Sequence, residues 1–321
     1  MVKNKFVCIV FNICLFFVLC LIVELLSYYK YSNDVSSILN EYKRVNKNLK
    51  LGYFHPIKFD INRCFKNFSE HKTTEEKMKE GSIIVFGSSY ASGTGLSEKA
   101  TFDYKLHNKT NRTVYRRAIP GGGPQYIYYM LKSGIIKNEI DDAKYIFYVY
   151  DPEHILMLEK FQMSVVYPFV NLRYELKDNS LKEITPFLYQ IYPLFFVKNV
   201  QHFLEKQVVI KNKEKIYYKF NFLIKEIAKI LKETYPSSKF IILEFPAHKN
   251  SYFSWDNIVL QEFPQNQIDY LENIGCTVIN LNKLIKDNLD EQIYKTNDNS
   301  HPSEFAWEKV VDELFKQGYI Q

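Results

Sequence analysis

The regular alternation of short apolar runs with amphipathic segments after residue 81 limits the fold of this chain more than any other feature. Five runs have the length and composition of buried strands, at residues 82–86, 113–119, 145–150, 240–245 and 277–281. Apolar residues at helical spacing predict helices at residues 125–136, 222–235, 265–274 and 304–315. Strands that alternate with helices in this way predict a mostly parallel five-stranded sheet with helices on both faces.

An apolar segment at the N-terminus precedes the alternating region. Residues 6–23 contain one polar side chain, Asn12, and a helix of that length approaches the thickness of a hydrocarbon core. No small-x-small cleavage site follows, so we predict an uncleaved transmembrane anchor over residues 6–26 after a cytoplasmic tail of residues 1–5. A cleaved signal peptide is the alternative. Lysines flank the segment on both sides, so placing the large domain outside the cytoplasm rests only on the usual arrangement of such anchors.

The rest of the chain is predicted to form one domain. Residues 27–80 have the composition of a stem that passes into the domain edge, and residues 81–321 hold the alternating strands and helices. A chain of 321 residues with 46% hydrophobic content can bury one large α/β core. Residues 155–218 interrupt the alternation with an aromatic segment that contains three prolines. We predict that this segment is an insertion that walls or covers a site.

Charge and cysteine usage argue against several classes of function. The net charge is +6 and the lysines are scattered without a basic block, so we expect no nucleic-acid partner. The chain has no CxxC pair and no cysteine–histidine cluster with metal-ligand spacing, so we expect neither a metal nor another cofactor. Cys64 and Cys276 lie outside the apolar N-terminal segment. They are either a disulfide in an oxidising compartment or two buried thiols.

One predicted strand is followed by residues suited to nucleophilic chemistry. Residues 83–96 read IIVFGSSYASGTGL, an apolar strand that stops at a loop of small residues and carries Ser88 and Ser89 at its end. Ligands of open α/β sheets bind outside the carboxyl ends of the strands. A serine in that position can act as a nucleophile only if a general base reaches its hydroxyl.

The base is predicted near the C-terminus. Asp298 and His301 are three residues apart in a turn before the last helix, which Pro302 and Ser303 can start and cap. A histidine so placed can donate its Nδ1–H to the carboxylate and keep Nε2 free to accept a proton from a serine. The sequence therefore predicts a catalytic triad of Ser89, His301 and Asp298.

These motifs resemble the signature blocks of the SGNH hydrolases, esterases and lipases that are also called GDSL enzymes. Residues 87–95, GSSYASGTG, match the spacing of the family block G-D-S-x-T-x-G-x-G, and residues 298–302, DNSHP, match the block D-x-x-H-P. The resemblance covers residues 82–321. It implies a flavodoxin-like three-layer sandwich, a nucleophilic role for Ser89, and an oxyanion hole that contains the backbone N–H groups of Ser89 and Gly121.

Two positions depart from the family pattern. Ser88 stands where the family has an aspartate that is not the acid of the triad. The strand at 145–150 runs into Asp151 with no asparagine to donate to the oxyanion, and losing one such donor costs roughly 10²–10³ in rate. His154 is our candidate for a replacement donor. The alternative is that Asp151 caps a turn and His154 lies on its surface.

The triad and the resemblance lead to an expected activity. We expect a membrane-anchored serine esterase that acts on acyl esters outside the cytoplasm through an acyl-enzyme. The anchor and the aromatic insertion suggest the O-acyl groups of a cell-surface glycan as substrate. Two alternatives stay open: an O-acyltransferase of surface polysaccharide, in which an acceptor hydroxyl replaces water, and a non-catalytic SGNH-like module that binds a glycan or an assembly partner.

Overall fold

A computed structural model describes the fold of the sheet region. The described residues are 18–19, 69–71, 81–152, 154–155, 158, 173–177, 180–184, 213–245, 262–284 and 301–321. The chain divides into two compact units, and every strand and labelled helix below belongs to the unit of residues 59–160, 172–184 and 209–321. Most of the predicted anchor, stem and insertion lies outside the described residues, as do Cys64 and Asp298. Within the described ranges, no helix combines the length and hydropathy that a membrane span requires.

The strands form one mixed sheet and one separate hairpin. Their bounds are β1 Ser69–His71, β2 Ser82–Gly87, β3 Val114–Arg116, β4 Ala143–Tyr150, β5 Arg173–Lys177, β6 Ser180–Ile184, β7 Lys239–Glu244 and β8 Cys276–Asn280. The sheet has the order β1-β3-β2-β4-β7-β8, and β5 pairs with β6. Strand β1 is antiparallel to β3, whereas all other neighbours in the sheet are parallel. The five parallel strands therefore have the flavodoxin-like order 2-1-3-4-5.

All five predicted strands are present, but the predicted number of strands was too low. The sixth, β1, is an antiparallel edge strand of three residues in the region assigned to stem and domain edge. Its sequence, SEH, has no apolar alternation, so no periodicity indicates it. Strand β3 ends at Arg116, although Arg117 and Ile119 still donate backbone hydrogen bonds to Val85 and Gly87 of β2, over 2.8 and 3.0 Å.

Seven α-helices and one short 3₁₀-helix, Glu98–Ala100, have their bounds among the described residues of this unit. The bounds of the α-helices are α1 Phe102–Thr110, α2 Pro124–Lys132, α3 Ile135–Glu139, α4 Lys213–Thr234, α5 Gln265–Asn273, α6 Leu281–Leu284 and α7 Glu304–Lys316. The helix predicted at 125–136 is broken at Gly134, whose φ of 75° ends α2 and starts α3. Helix α4 begins at Lys213 rather than at residue 222, so its first turns belong to the predicted insertion.

The two faces of the sheet are covered by different helices. Trp307 of α7 stacks on Phe102 of α1, with 4.6 Å between ring centroids, over the face that carries Phe147. On the other face, Tyr150 packs against Phe220 of α4 and stacks on Phe263. These side chains are fully or nearly fully buried, and each contributes about 1.5–3 kcal/mol of hydrophobic stabilisation. Because helices cover both faces of the sheet, we look for a ligand-binding site at the carboxyl ends of its strands.

Candidate active site

The carboxyl end of β2 lies at the switch point of the sheet. The chain passes from β2 to β3 on one side and returns to β4 on the other, so the connections after β2 and β4 diverge and leave a crevice between them. Ser88 and Ser89 follow β2 at this point, and Asp151 follows β4. The predicted nucleophile is therefore in the position where open α/β sheets bind ligands.

Gly87 lets the chain turn sharply before the two serines. A Cβ at this position would lie 2.7 Å from Ala91 Cβ and 2.9 Å from the carbonyl oxygen of Val149, and the φ of Gly87 is +153°. Both contacts are closer than atoms of this kind approach, so any side chain would push residues 88–91 away from β4. A glycine is needed here for close approach as well as for backbone conformation.

Residues 88–96, which we call the serine loop, are held by their own hydrogen bonds. The carbonyl oxygen of Ser89 accepts from Thr94 N at 3.1 Å and from the hydroxyl of Ser92 at 3.0 Å. The Thr94 hydroxyl lies 3.0 Å from Ser92 Oγ and donates to it, because Ser92 already uses its proton on Ser89. Ser92 N donates to Ser88 O. These bonds fix the backbone of Ser89 while its side chain stays partly exposed.

A row of buried polar side chains, each in contact with the next, lies beneath the serine loop. The hydroxyl of Ser88, which is 1% exposed, donates to Asp151 Oδ2 at 3.0 Å. The same oxygen is 3.0 Å from His154 Nε2, and His154 Nδ1 is 2.7 Å from the hydroxyl of Tyr148. Burial raises the pKa of Tyr148 well above its usual value, and the nearby Asp151 charge adds to this shift. The two nitrogens of His154 therefore lie between the Asp151 carboxylate and the Tyr148 hydroxyl.

His154 is buried, whereas a position on the surface of a turn was one of the two placements expected from the sequence. Its side chain is 0% exposed and stacks on Tyr148, with ring planes 8° apart. Both nitrogens face residues of β4 or the turn that follows it, and Nε2 makes no well-directed hydrogen bond to the described part of the chain. The expectation that His154 lies on the surface of a turn was wrong. Its role as an oxyanion donor stays a prediction, and its contacts instead favour support of Asp151.

His301 lies beside the serine loop. Its ring packs edge-on against Tyr90, the residue after Ser89, with 5.7 Å between centroids. Tyr90 in turn packs against Phe245 at the end of β7, at 5.5 Å. The predicted cap of the following helix is confirmed, because Ser303 Oγ accepts from Ala306 N at 3.2 Å. The start of α7 thus fixes where His301 stands, while its predicted partner Asp298 lies outside the described residues.

A glycine-rich turn stands on the other side of the β2 end. In this glycine turn, residues 120–124, Gly122 N donates to Ile119 O at 2.7 Å, and Gly121 has a φ of +73°. Ile119 N donates to Gly87 O at 3.0 Å, which attaches the turn to the residue two before Ser89. The predicted oxyanion donor Gly121 therefore belongs to a segment next to the serine loop.

Sequence reasoning missed Gln125. This residue follows the glycine turn in the first turn of α2, and its side chain is 5% exposed. Its Oε1 atom has no hydrogen-bond partner in the part of the chain that the structure describes. A buried amide left unpaired costs about 1–3 kcal/mol. Burial and pairing are tertiary properties, so the sequence offered no signal beyond the position of Gln125 after three glycines.

A second polar cluster, at the β1 edge, is a structural ion network. His71 Nε2 lies 2.8 Å from Asp103 Oδ2 and 3.3 Å from Glu98 Oε1, a grouping that resembles a set of metal ligands. However, Arg116 contacts both acids, at 3.2 Å for Asp103 and 3.5 Å for Glu98. The guanidinium supplies the positive charge that a metal ion would bring. The network therefore ties the edge strand to α1 and β3.

Two buried groups near the far edge of the sheet are also structural. Glu244 accepts from Asn280 Nδ2 at 2.7 Å and from the N–H of Phe263, and burial raises the pKa of its carboxyl group. Cys276 carries a free thiol, and burial raises its pKa to about 12. Of the two expectations for this cysteine, the structure favours the buried thiol.

Comparison with known proteins gives a likeness to lipolytic structures at low identity. No family model matches the chain, and no curated protein matches it. The psychrotrophic esterase EstA from Pseudoalteromonas sp. is 11% identical, with a TM-score of 0.43 over 75% of this chain and 97% of that one. A member of the lipolytic G-D-S-L family from Veillonella parvula is 12% identical, with a TM-score of 0.43 over 74% and 97%. Phospholipase A1 from Streptomyces albidoflavus is 9% identical, with a TM-score of 0.41 over 74% and 98%. At this similarity the likeness carries no inference about activity or site.

Proposed function

We propose that this chain is a serine esterase of the SGNH type, with Ser89 as nucleophile, His301 as general base and Asp298 as the acid that orients His301. The observation that carries the proposal is the packing of His301, from the C-terminal region, against Tyr90, the residue after Ser89. The position of Ser89 at the switch point of the sheet supports the same role.

The proposed reaction has two steps. His301 Nε2 takes the proton of Ser89 while Oγ forms a bond to the ester carbonyl carbon, and the carbonyl electrons move to its oxygen. When this intermediate collapses, the bond to the alkoxy oxygen breaks and His301 gives that oxygen its proton. Water then attacks the acyl carbon and loses a proton to His301. The bond from that carbon to Ser89 Oγ breaks, and His301 returns the proton to Oγ, which frees the acid and Ser89.

The proposed oxyanion hole contains the backbone N–H groups of Ser89 and Gly121. The hydrogen bonds of the serine loop support this assignment, since they hold the Ser89 backbone in one conformation before substrate arrives. The attachment of the glycine turn to Gly87 supports it from the other side. Preorganised donors of this kind stabilise the developing charge without having to reorient during the reaction.

The proposed substrates are acyl esters outside the cytoplasm, with O-acyl groups of a cell-surface glycan as the leading class. The sequence supports this part, through the apolar segment at residues 6–26 and the aromatic content of residues 155–218. An O-acyltransferase with the same triad is the second candidate. The complete burial of His154, with its nitrogens facing Tyr148 and Asp151, favours a third, a non-catalytic SGNH-like module, because it turns one expected oxyanion donor away from a substrate.

Hydrolysis of a short-chain aryl ester tests the proposal. We expect the purified protein to release the phenol, and Ser89→Ala and His301→Ala each to lower kcat by at least about 10³-fold, since the triad acts as a unit. Ser133→Ala, which changes an exposed serine that bonds its own helix, should leave kcat unchanged. Activity that survives Ser89→Ala would reject the triad.

An acceptor experiment separates the three candidates. The same acyl donor is supplied with and without a polysaccharide, and the products are identified by mass spectrometry. Free acid in both samples indicates the esterase, whereas acylated polysaccharide indicates the transferase. No turnover in either sample, with polysaccharide retained by the protein, indicates the binding module.

A further inference from the structure

Gln125 has a buried polar side chain that the fold does not use. It is 5% exposed, and its Oε1 atom lacks a hydrogen-bond partner among the described residues. By contrast, Gln267 of α5 is buried to the same degree and exchanges hydrogen bonds with the amide of Asn221. A buried polar atom without a partner calls for an explanation, and a catalytic role is one of those that such atoms have in native proteins.

The side chain of Gln125 folds back over the N-terminus of its own helix. A Cβ built at Gly123, the residue before α2, would stand 2.7 Å from Gln125 Oε1. Gly123 therefore leaves the room that the amide occupies. The amide lies beside the positive end of the helix dipole, where an oxygen with negative charge is stabilised.

Two backbone N–H groups just before Gln125 in the sequence are also unpaired within the described part of the chain. The N–H groups of Gly121 and Gly123 make no hydrogen bond within the described ranges, and Pro124 at the first helical position has no N–H. Gly122 and Tyr126 do use their N–H groups, on Ile119 and Gly123. Unpaired and paired N–H groups thus alternate along the turn, and Gln125 is the residue that follows the turn in the sequence.

The turn is fixed next to the proposed nucleophile. Ile119 N bonds Gly87 O at 3.0 Å, so the glycine turn begins beside the residue that leads into Ser89. Rotation of the Gln125 amide about its last bond exchanges its oxygen and nitrogen. The position can therefore offer an N–H donor to an oxygen atom of a ligand.

We propose that the Gln125 side-chain amide binds the carbonyl oxygen of the acyl substrate and donates to it as the oxyanion forms, together with the N–H groups of Gly121 and Ser89. This inference rests on the proposed esterase activity and names the third donor of its oxyanion hole. During attack by Ser89 Oγ the carbonyl electrons move onto that oxygen. Its hydrogen bond to the amide strengthens without transfer of the amide proton, and it reverts when the alkoxy group leaves.

The proposal is tested with Gln125→Met, which keeps the length of the side chain and removes both polar atoms. We expect kcat for a short-chain aryl ester to fall roughly 10²–10³-fold, with KM changed by less than about threefold, because the lost bond strengthens only in the transition state. The rate of labelling by a fluorophosphonate should fall in parallel. Gln267→Met is the matched control, which should retain the wild-type rate and lose thermal stability.

A second variant keeps the result decisive if Gln125→Met does not fold. Gln125→Glu preserves the shape and places a carboxylate where the oxyanion forms, so the rate should fall further than with methionine. Wild-type rates in a folded Gln125→Met or Gln125→Glu protein overturn the proposal for Gln125 alone. If the wild-type protein shows no labelling that depends on Ser89, the esterase function fails, and the proposal for Gln125 fails with it.

Discussion

The serine loop and the glycine turn flank the same strand end, yet they differ in how completely their polar groups are paired. In the serine loop, Ser92 and Thr94 bond the carbonyl oxygen of Ser89 and each other. In and after the glycine turn, the N–H of Gly121 and the Oε1 atom of Gln125 have no partner among the described residues. Hydrogen-bonded groups hold the backbone in one geometry, whereas unpaired polar groups can bind a ligand. This difference agrees with the two roles that we propose, a nucleophile in the serine loop and carbonyl binding at the glycine turn.

The largest effect on the rate of ester hydrolysis should come from a substitution at Gly87, the residue just before the serine loop. In Gly87→Ala the new Cβ would collide with Ala91 Cβ and Val149 O, so the loop must move away from β4. A displacement of about 1 Å costs on the order of 10²-fold in rate, and we expect at least that loss in ester hydrolysis.

Gly95→Ala is the matched control for that variant. Gly95 has a φ of +82°, but a Cβ there meets nothing within 4 Å. The substitution should cost about 1–2 kcal/mol of stability from backbone conformation alone. Urea unfolding should show that cost, and ester hydrolysis should stay near the wild-type rate. Equal rates for the two alanine variants would show that close approach at Gly87 does not position Ser89.

Substitutions at Ser88 and Asp151, which contact each other beneath the serine loop, should have strongly coupled effects on the free energy of unfolding. Asp151→Ala leaves Ser88 Oγ and His154 Nε2 without the carboxylate and should cost about 1–3 kcal/mol, whereas Ser88→Ala removes one hydrogen bond and should cost about 1 kcal/mol. The double variant should fall short of the sum by about 0.5 kcal/mol or more, because both changes remove the same contact. Additive losses in urea unfolding would show that Ser88 and Asp151 do not stabilise each other.

Replacement of each of the two buried glutamines by methionine should change the free energy of unfolding in a different direction. Gln125→Met removes an unpaired amide and should leave the free energy of unfolding unchanged or raise it by up to about 1 kcal/mol. Gln267→Met breaks the pair with Asn221 and should lower it by about 1–3 kcal/mol. Thermal unfolding of both variants checks this contrast. A loss in Gln125→Met as large as that in Gln267→Met would mean that Gln125 is paired in the folded protein.

The smallest effect should come from one bond inside the serine loop. Ser92→Ala removes the hydroxyl that donates to Ser89 O, while Thr94 N continues to bond the same oxygen. We expect a loss of about 0.5–1.5 kcal/mol and a severalfold fall in kcat. Unfolding and steady-state kinetics measure the two effects, and Ser133→Ala is again the control. A fall in kcat as large as that of Gly87→Ala would mean that this one bond holds the loop.

The sequence predicted the parts of the fold that have a long periodic signal. The buried strands β2 and β4 are apolar runs, and their ends agree with the prediction within two residues. Strand β1 was missed because three polar residues carry no period. Helix α1 was missed because it is mostly polar and buries few apolar side chains, such as Phe102 and Leu106.

The site was predictable where a motif defines it and unpredictable where packing does. Ser89 and His301 came from motifs, and the structure brings His301 against the neighbour of Ser89. The burial of His154 depends on stacking with Tyr148, which no spacing rule indicates. The unpaired state of Gln125 depends on the path of the glycine turn. Both are consequences of three-dimensional contacts rather than of local sequence.

The location of a covalent adduct tests the central claim most directly. The protein is treated with a fluorophosphonate and digested, and the peptides that cover residues 82–99 are sequenced by tandem mass spectrometry. We predict one phosphonylated residue, Ser89, and a rate of modification that falls at least about 10³-fold in His301→Ala. An adduct on Ser88 or Ser92, a rate independent of His301, or no adduct in the folded protein would contradict it.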